Sequence, residues 1–278
     1  MSFSPSFPQP GAGYPGAQGH GFPPQGAPHS PQPGHHQLAP PPPAGVQGGA
    51  RNIDTNANFE GAAFRISYRD SNSLLSVRLQ QGYEIKAKSG SMVAMDATVK
   101  IRGQLKISFK KLLTGGDLSS STFTGPGEVL LAPETWGDLV PVNLDGSTPW
   151  YFSKHAFLAA TQGIKLEHKA QSFGKALFSG EGLFVEQASG VGVLILASLG
   201  AIVQRQLGPG EQWIVDNGHL VAWTAKYSVE RIQAGGMLSG AKTDEGLVCR
   251  FTGPGIVYIQ TRNPDTLISW ISEQLPTQ

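Results

Sequence analysis

The side chains that could do chemistry are few and scattered. Four of the seven histidines, His20, His29, His35 and His36, fall in the first fifty residues, and the rest of the chain holds only His155, His168 and His219, each standing alone. A cupin-type metal centre needs a close His pair and a carboxylate converging on one point, so no metal is expected. Ser189-Gly190 and Ser239-Gly240 lack the G-x-S-x-G frame of a nucleophile elbow and read as turn dipeptides. Residues 182–192 and Gly235-Gly236 are rich in glycine, but neither a Walker-type Lys-Ser/Thr nor a dinucleotide fingerprint accompanies them, and no cofactor is expected. Cys249 is the single cysteine; in the strand-like run Leu247–Phe251 it reads as a buried, inert thiol. These readings point away from an enzyme.

Charge gives one positive signal. Lys86, Lys88, Lys100, Arg102, Lys106, Lys110 and Lys111 face a single acid, Asp96, in a chain whose net charge is only +1. Ile101, Leu105, Ile107 and Phe109 occupy odd positions while Lys100, Arg102, Lys106 and Lys110 occupy even ones, so a strand here sends them to opposite faces. Lys100, Arg102, Lys106, Lys110 and Lys111 are therefore candidates for peripheral contact with an anionic membrane, Phe109, Leu112 and Leu113 being placed to insert beside them. The plainer reading is a solvated strand face offset by acids elsewhere. A nucleic-acid partner is disfavoured, because a nearly neutral domain lacks the basic excess such binding uses.

The elements that must position these residues repeat. Phe123-Thr124-Gly125-Pro126-Gly127 returns unchanged as Phe251-Thr252-Gly253-Pro254-Gly255, and Phe178-Ser179-Gly180-Glu181-Gly182 is a looser copy. In each, the central pair suits a type II turn whose second residue takes a positive φ, which assigns structural roles to Gly125, Gly127, Gly180, Gly182, Gly253 and Gly255. Val129–Leu131, Leu183–Val185 and Ile256–Ile259 follow as strand-like runs. Gly82–Met95 likewise resembles Gly210–Trp223, and this pair and the F-T-G-P-G pair are each 128 positions apart. Phe157–Ala160 stands as the middle counterpart of Met92–Met95. Three copies of one β unit are expected.

Around that unit the chain divides in two. Residues 1–58 are a Pro/Gly-rich tail, expected to be disordered, and the first fifty contain no Lys, Arg, Asp or Glu. Pro40–Pro43 could form a polyproline II stretch, with a plain linker as the blander reading. Neither a basic amphipathic presequence nor an apolar secretory run is visible, which points to the cytoplasm. Residues 59–278, some 220 in number, are expected to form one all-β domain of short strands. The most apolar stretch, residues 190–203, is shorter than a membrane span and reads as a buried hairpin turning at Ser198-Leu199-Gly200. A short C-terminal helix begins at Pro264, with Leu267, Ile268, Ile271 and Leu275 on one face packed against the domain.

Residues from about Phe64 onward resemble the altered inheritance of mitochondria protein 24 family. The resemblance rests on Gly90–Met95, the three F-[ST]-G-x-G turns, Gly218–Trp223 and Ile259–Arg262. It implies a fold similar to that of the trp RNA-binding attenuation protein, β-sandwich units with internal pseudo-threefold symmetry. It also implies a role in mitochondrial organisation, with yeast-type members at the inner membrane and no catalytic motif to carry over; the neutral tail departs from a basic presequence. The expectation is a non-enzymatic scaffold or interaction protein, mitochondrial by resemblance, for which homo-oligomers are compatible and protein partners are unknown. The alternative is a ligand- or RNA-binding module on the same fold.

Overall fold

The structure is a computed structural model that describes residues 47–48, 55–104, 120–170, 184–231 and 247–275, all within the compact unit formed by residues 42–278. It is built of antiparallel sheets with one short helix, and the sheets are open rather than closed into a barrel. A two-residue strand, β1 (Gln47–Gly48), is followed by β2 (Thr55–Phe59), which lies across the boundary expected at residue 59, and β3 (Ala62–Ser67).

The next strands fall into three groups with one pairing scheme. The first comprises β4 (Leu74–Leu79), β5 (Glu84–Lys88), β6 (Met92–Met95), β7 (Lys100–Gln104), β8 (Ser120–Thr124) and β9 (Gly127–Leu131). In it β9 pairs with β4 and β6, and β8 pairs with β5 and β7. The third comprises β15 (Ile202–Leu207), β16 (Gln212–Asp216), β17 (Leu220–Trp223), β18 (Lys226–Arg231), β19 (Leu247–Thr252) and β20 (Gly255–Gln260), paired in the same way. Between them stand β10 (Leu139–Asp145), β11 (Trp150–Ser153), β12 (Phe157–Thr161), β13 (Ile164–Ala170) and the 14-residue β14 (Phe184–Ala197). The first half of β14 pairs with β11 and β13 and its second half with β10 and β12, so one strand does the work of two. Registers agree to the residue. Leu79 faces Gly127, Leu144 faces Gly192 and Leu207 faces Gly255, and a bulge interrupts β6, β12 and β17 after their first residue. This is a recurrence of connectivity; the pseudo-threefold rotation expected from the repeats is a separate geometric property.

Two turn readings change. The Gly-Pro-Gly segments are not reversals within hairpins, because β8 and β9 never pair with each other; they are kinks at which one strand path leaves one sheet and enters another. The Gly125-Pro126 and Gly253-Pro254 peptides are cis, and Gly127 and Gly255 take φ of 135° and 156°, a region that glycine enters freely. The middle kink is Gly190-Val191-Gly192, with φ of 100° at Gly190 and 155° at Gly192; Gly180 and Gly182 lie outside the described residues. Residues 190–203 are likewise no hairpin. β14 and β15 belong to successive groups and pair with other strands, because the chain passes from one unit to the next there.

Alternation explains the layers. β3 buries Ala62, Phe64 and Ile66, and β4 buries Leu75, Val77 and Leu79. These pack with Val129 and Leu131 onto Ile85, Ala87, Phe123, Leu158 and Ile195 of the large sheet, forming a sandwich. At the other end Val185, Leu220, Trp223 and Val257 meet Val215, Cys249 and Phe251 of the three-stranded sheet β16-β19-β18. Where the first unit joins the second, Arg69 holds both carboxylate oxygens of Asp138 at 2.9 and 2.8 Å, and that carboxylate also accepts from Ser73 Oγ at 2.8 Å and Leu139 N at 2.7 Å. The pair is almost wholly buried, and its full complement of donors is what such burial requires.

Candidate functional site

The basic stretch begins on β7, which among the described residues is an edge strand paired only with β8. Directly paired residues share a face. Lys86, Thr122 and Arg102 therefore form one row, with Glu84, Thr124 and Lys100 in the next. Lys86, Lys100 and Arg102 are exposed, Arg102 reaches Glu84 at 2.9 Å, and Lys88 reaches Glu134 at 2.7 Å. Such exposed pairs contribute little to stability. Lys106, Lys110 and Lys111 lie outside the described residues. Ile101 shares the inner face with Ile85 and Phe123 but is 45% exposed, because the core does not extend to this edge. Lys100 also has counterparts at the same ladder position, Lys165 on β13 and Lys226 on β18. A cation that recurs on three edge strands has a structural use, since lysines discourage pairing with another chain.

Among the groups suited to catalysis, geometry mostly shows structural roles. His219 donates from Nδ1 to the Gln260 carbonyl at 2.8 Å, and His168 Nδ1 is 2.9 Å from the buried Glu186 carboxylate. His155 titrates below its ordinary value because it is partly desolvated and stands near Lys88 and Lys154. Burial pushes the Cys249 thiol up to about 12. Ser189 lies within β14; Ser239-Gly240 is outside the described residues. No group of three His, Cys, Asp or Glu among the described residues could hold a metal ion. An open cleft of about 530 Å³ lies between Thr148–Tyr151 and Thr224–Tyr227.

The feature that sequence reading misplaced is the helix α1 (Pro264–Gln274). Asn263 caps it, its side-chain oxygen accepting from Asp265 N at 2.9 Å, and Pro264 occupies the first turn, as the sequence suggested. The helix is only partly covered by the domain, with Pro264 and Leu267 half-buried. None of its residues is buried, Ile268 is 64% exposed, and Trp270, Ile271 and Leu275 are exposed with it. Helical spacing places Leu267, Ile268, Ile271 and Leu275 along one stripe with Trp270 at its margin, opposite Asp265, Ser269 and Glu273. Among the described residues, no helix is long and apolar enough to cross a membrane.

Fold and surface define an antiparallel β protein of triplicated pairing scheme that carries a largely uncovered amphipathic helix. Residues 64–262 match the family described as Mitochondrial biogenesis AIM24, and the chain belongs to that family. It is 30% identical to an uncharacterised protein of Streptococcus pyogenes serotype M6, over 73% of this chain and 87% of that protein. The fold is also similar to the crystal structure of a Streptococcus pyogenes protein, a structural-genomics target, with a TM-score of 0.62, 24% identity, and coverage of 80% of this chain and 99% of that one.

Proposed function

We propose that this protein is a non-catalytic interaction scaffold whose C-terminal helix docks into a groove on a partner protein. The largely uncovered apolar stripe of α1 carries this reading. A folded β body that exposes Ile268, Trp270 and Ile271 together on a capped helix, with Leu275 exposed at its C-cap, presents the side-chain pattern of helix-in-groove recognition. Asp265 and Glu273 with no Lys or Arg on the helix suit a groove with an apolar floor and a basic rim, and disfavour an anionic lipid surface. The family description supports a role in mitochondrial organisation. Its relatives in Streptococcus pyogenes have no such organelle, and cytoplasmic residence is the alternative address for this chain.

Photo-crosslinking in cells tests the reading. A photoreactive side chain at Ile271 is expected to give a discrete protein adduct that one at Ser269 does not. Equal adducts from both positions, or none, would overturn it. A second reading, peripheral contact with an anionic membrane, draws on the exposed cations Lys86, Lys100 and Arg102, which lie on one face in two neighbouring rows. Co-sedimentation with anionic but not neutral vesicles, lost in Lys100→Glu/Arg102→Glu, would favour it over the groove. Fractionation of the full chain with mitochondria or with cytosol tests the address.

A further inference from the structure

The three units are joined by two seams of one kind. Unit 1 meets unit 2 where β5 pairs with β12, Ala87 opposite Ala159 and Lys86 opposite Ala160. Unit 2 meets unit 3 where β11 pairs with β17, Phe152 opposite Ala222 and Tyr151 opposite Trp223. Within the shared ladder scheme these are the same positions, so one junction is used twice in the same register. Each uses up one edge of the β5-type strand and one edge of the β6-type strand. Two such edges are left at the ends of the arc, on β6 and on β16. Among the described residues β6 pairs only with β9, and β16 only with β19.

These two edges differ from those of β7, β13 and β18. β7, β13 and β18 carry cations along their open sides, Lys100 and Arg102, Lys165 and Lys169, and Lys226. On β6 and β16 the stretches that would meet are Val93-Ala94-Met95 and Trp213-Ile214-Val215, without a charge or a proline. An uncharged open edge is the kind that pairs with another strand. Exposure tells the same story. Val93 is 58% exposed, whereas its counterparts Leu158 and Val221, on strands whose seams are made, are 1% and 0% exposed. Ile214 is exposed as well.

We infer that β16 of one copy of this chain adds to β6 of another, forming a third seam in the register of the two internal ones, with Val215 opposite Ala94 and Ile214 opposite Met95. The occupant is a second copy because this chain carries both halves of a junction it already makes twice and does not join them to each other. The contact is head to tail, so each added copy presents a new β6 or β16 edge, and assembly proceeds to a ring or a short linear oligomer. A seam this short must offset the entropy lost on association, so assembly is concentration-dependent.

The test is cross-linking of the full chain carrying Met95→Cys and Ile214→Cys, with each single variant as control. Directly opposed strand positions lie within reach of a disulfide, and buried Cys249 does not compete. Oxidation is expected to give a reducible ladder of dimers and larger species from the double variant, absent from either single variant. In parallel, light scattering across a dilution series should give a mass that rises with concentration for the wild type and stays at one chain for Ile214→Lys, whose melting temperature should be unchanged because Ile214 is exposed. A cross-linked single chain would mean that the arc closes on itself and would overturn the proposal. So would the absence of cross-links, a wild type that stays monomeric, or multimers that persist in Ile214→Lys.

Discussion

Leu144 stands opposite Gly192 in the β10–β14 ladder, the relation that Leu79 has to Gly127 and Leu207 to Gly255. A Cβ built at Gly255 would lie 2.5 Å from Ala225 Cα and 2.6 Å from its nitrogen, backbone atoms that cannot yield, whereas at Gly127 it would meet the Thr98 hydroxyl and a Val99 methyl at 2.8 Å. Gly255→Ala should therefore cost about 2 kcal/mol or more, lowering Tm by about 4–8 °C in a domain of this size. Gly127→Ala should cost less, and calorimetry of the two variants checks the order.

The Arg69–Asp138 pair should behave as a unit. Asp138→Leu leaves a buried guanidinium without its carboxylate and should cost about 3–5 kcal/mol. Arg69→Met combined with Asp138→Leu should cost clearly less than the two single changes together. Denaturant unfolding of all three variants and the wild type completes the cycle.

Cys249 should be silent towards a thiol reagent at pH 8 in the folded protein and should react on unfolding, since burial holds its thiol up to about 12. A raised folded-state value favours the neutral thiol. The associated stability is complete below the unfolded-state value near 8.5 and is lost as pH rises from there toward 12. At pH 10 the loss is about 1–2 kcal/mol. Cys249→Ala should show a shallower fall in stability between pH 8 and 10, measured by urea unfolding.

Deleting residues 264–278 should leave Tm within about 2 °C of the full chain, because no residue of the helix is buried. Asn263 is kept in the deletion, as its side chain lies against Gly218. A larger fall would mean that the helix supports the domain.

The outer two units were legible because identical residues, Phe-Thr-Gly-Pro-Gly, mark identical kinks. The middle kink is hidden because Ala188, Ser189 and Val191 stand where the outer copies have Phe, Thr and Pro, and only the spacing of Gly190 and Gly192, after the Leu144–Gly146 turn, preserves the signal. Residues 190–203 looked like a hairpin because a run of apolar residues around a turn reads the same whether its two halves pair with each other or with different neighbours. Pro264 and the 3.6-residue spacing revealed the helix. Amphipathicity tells which face seeks cover, not what supplies it, and so Ile268 and Ile271 were expected inside. At the basic stretch, alternation separated Lys100 and Arg102 from Ile101 correctly, but sequence could not show that the core ends before Ile101.

β14 runs unbroken through four partners, and the middle unit lends a strand to each neighbour. Whatever duplication produced this chain, its copies have since surrendered their independence. The number of repeats is not adjustable as it is in a solenoid, where a module can be gained or lost and the stack closes over the gap. Excising the middle copy would strip both others of their seams at once, so heat should melt the three in a single step.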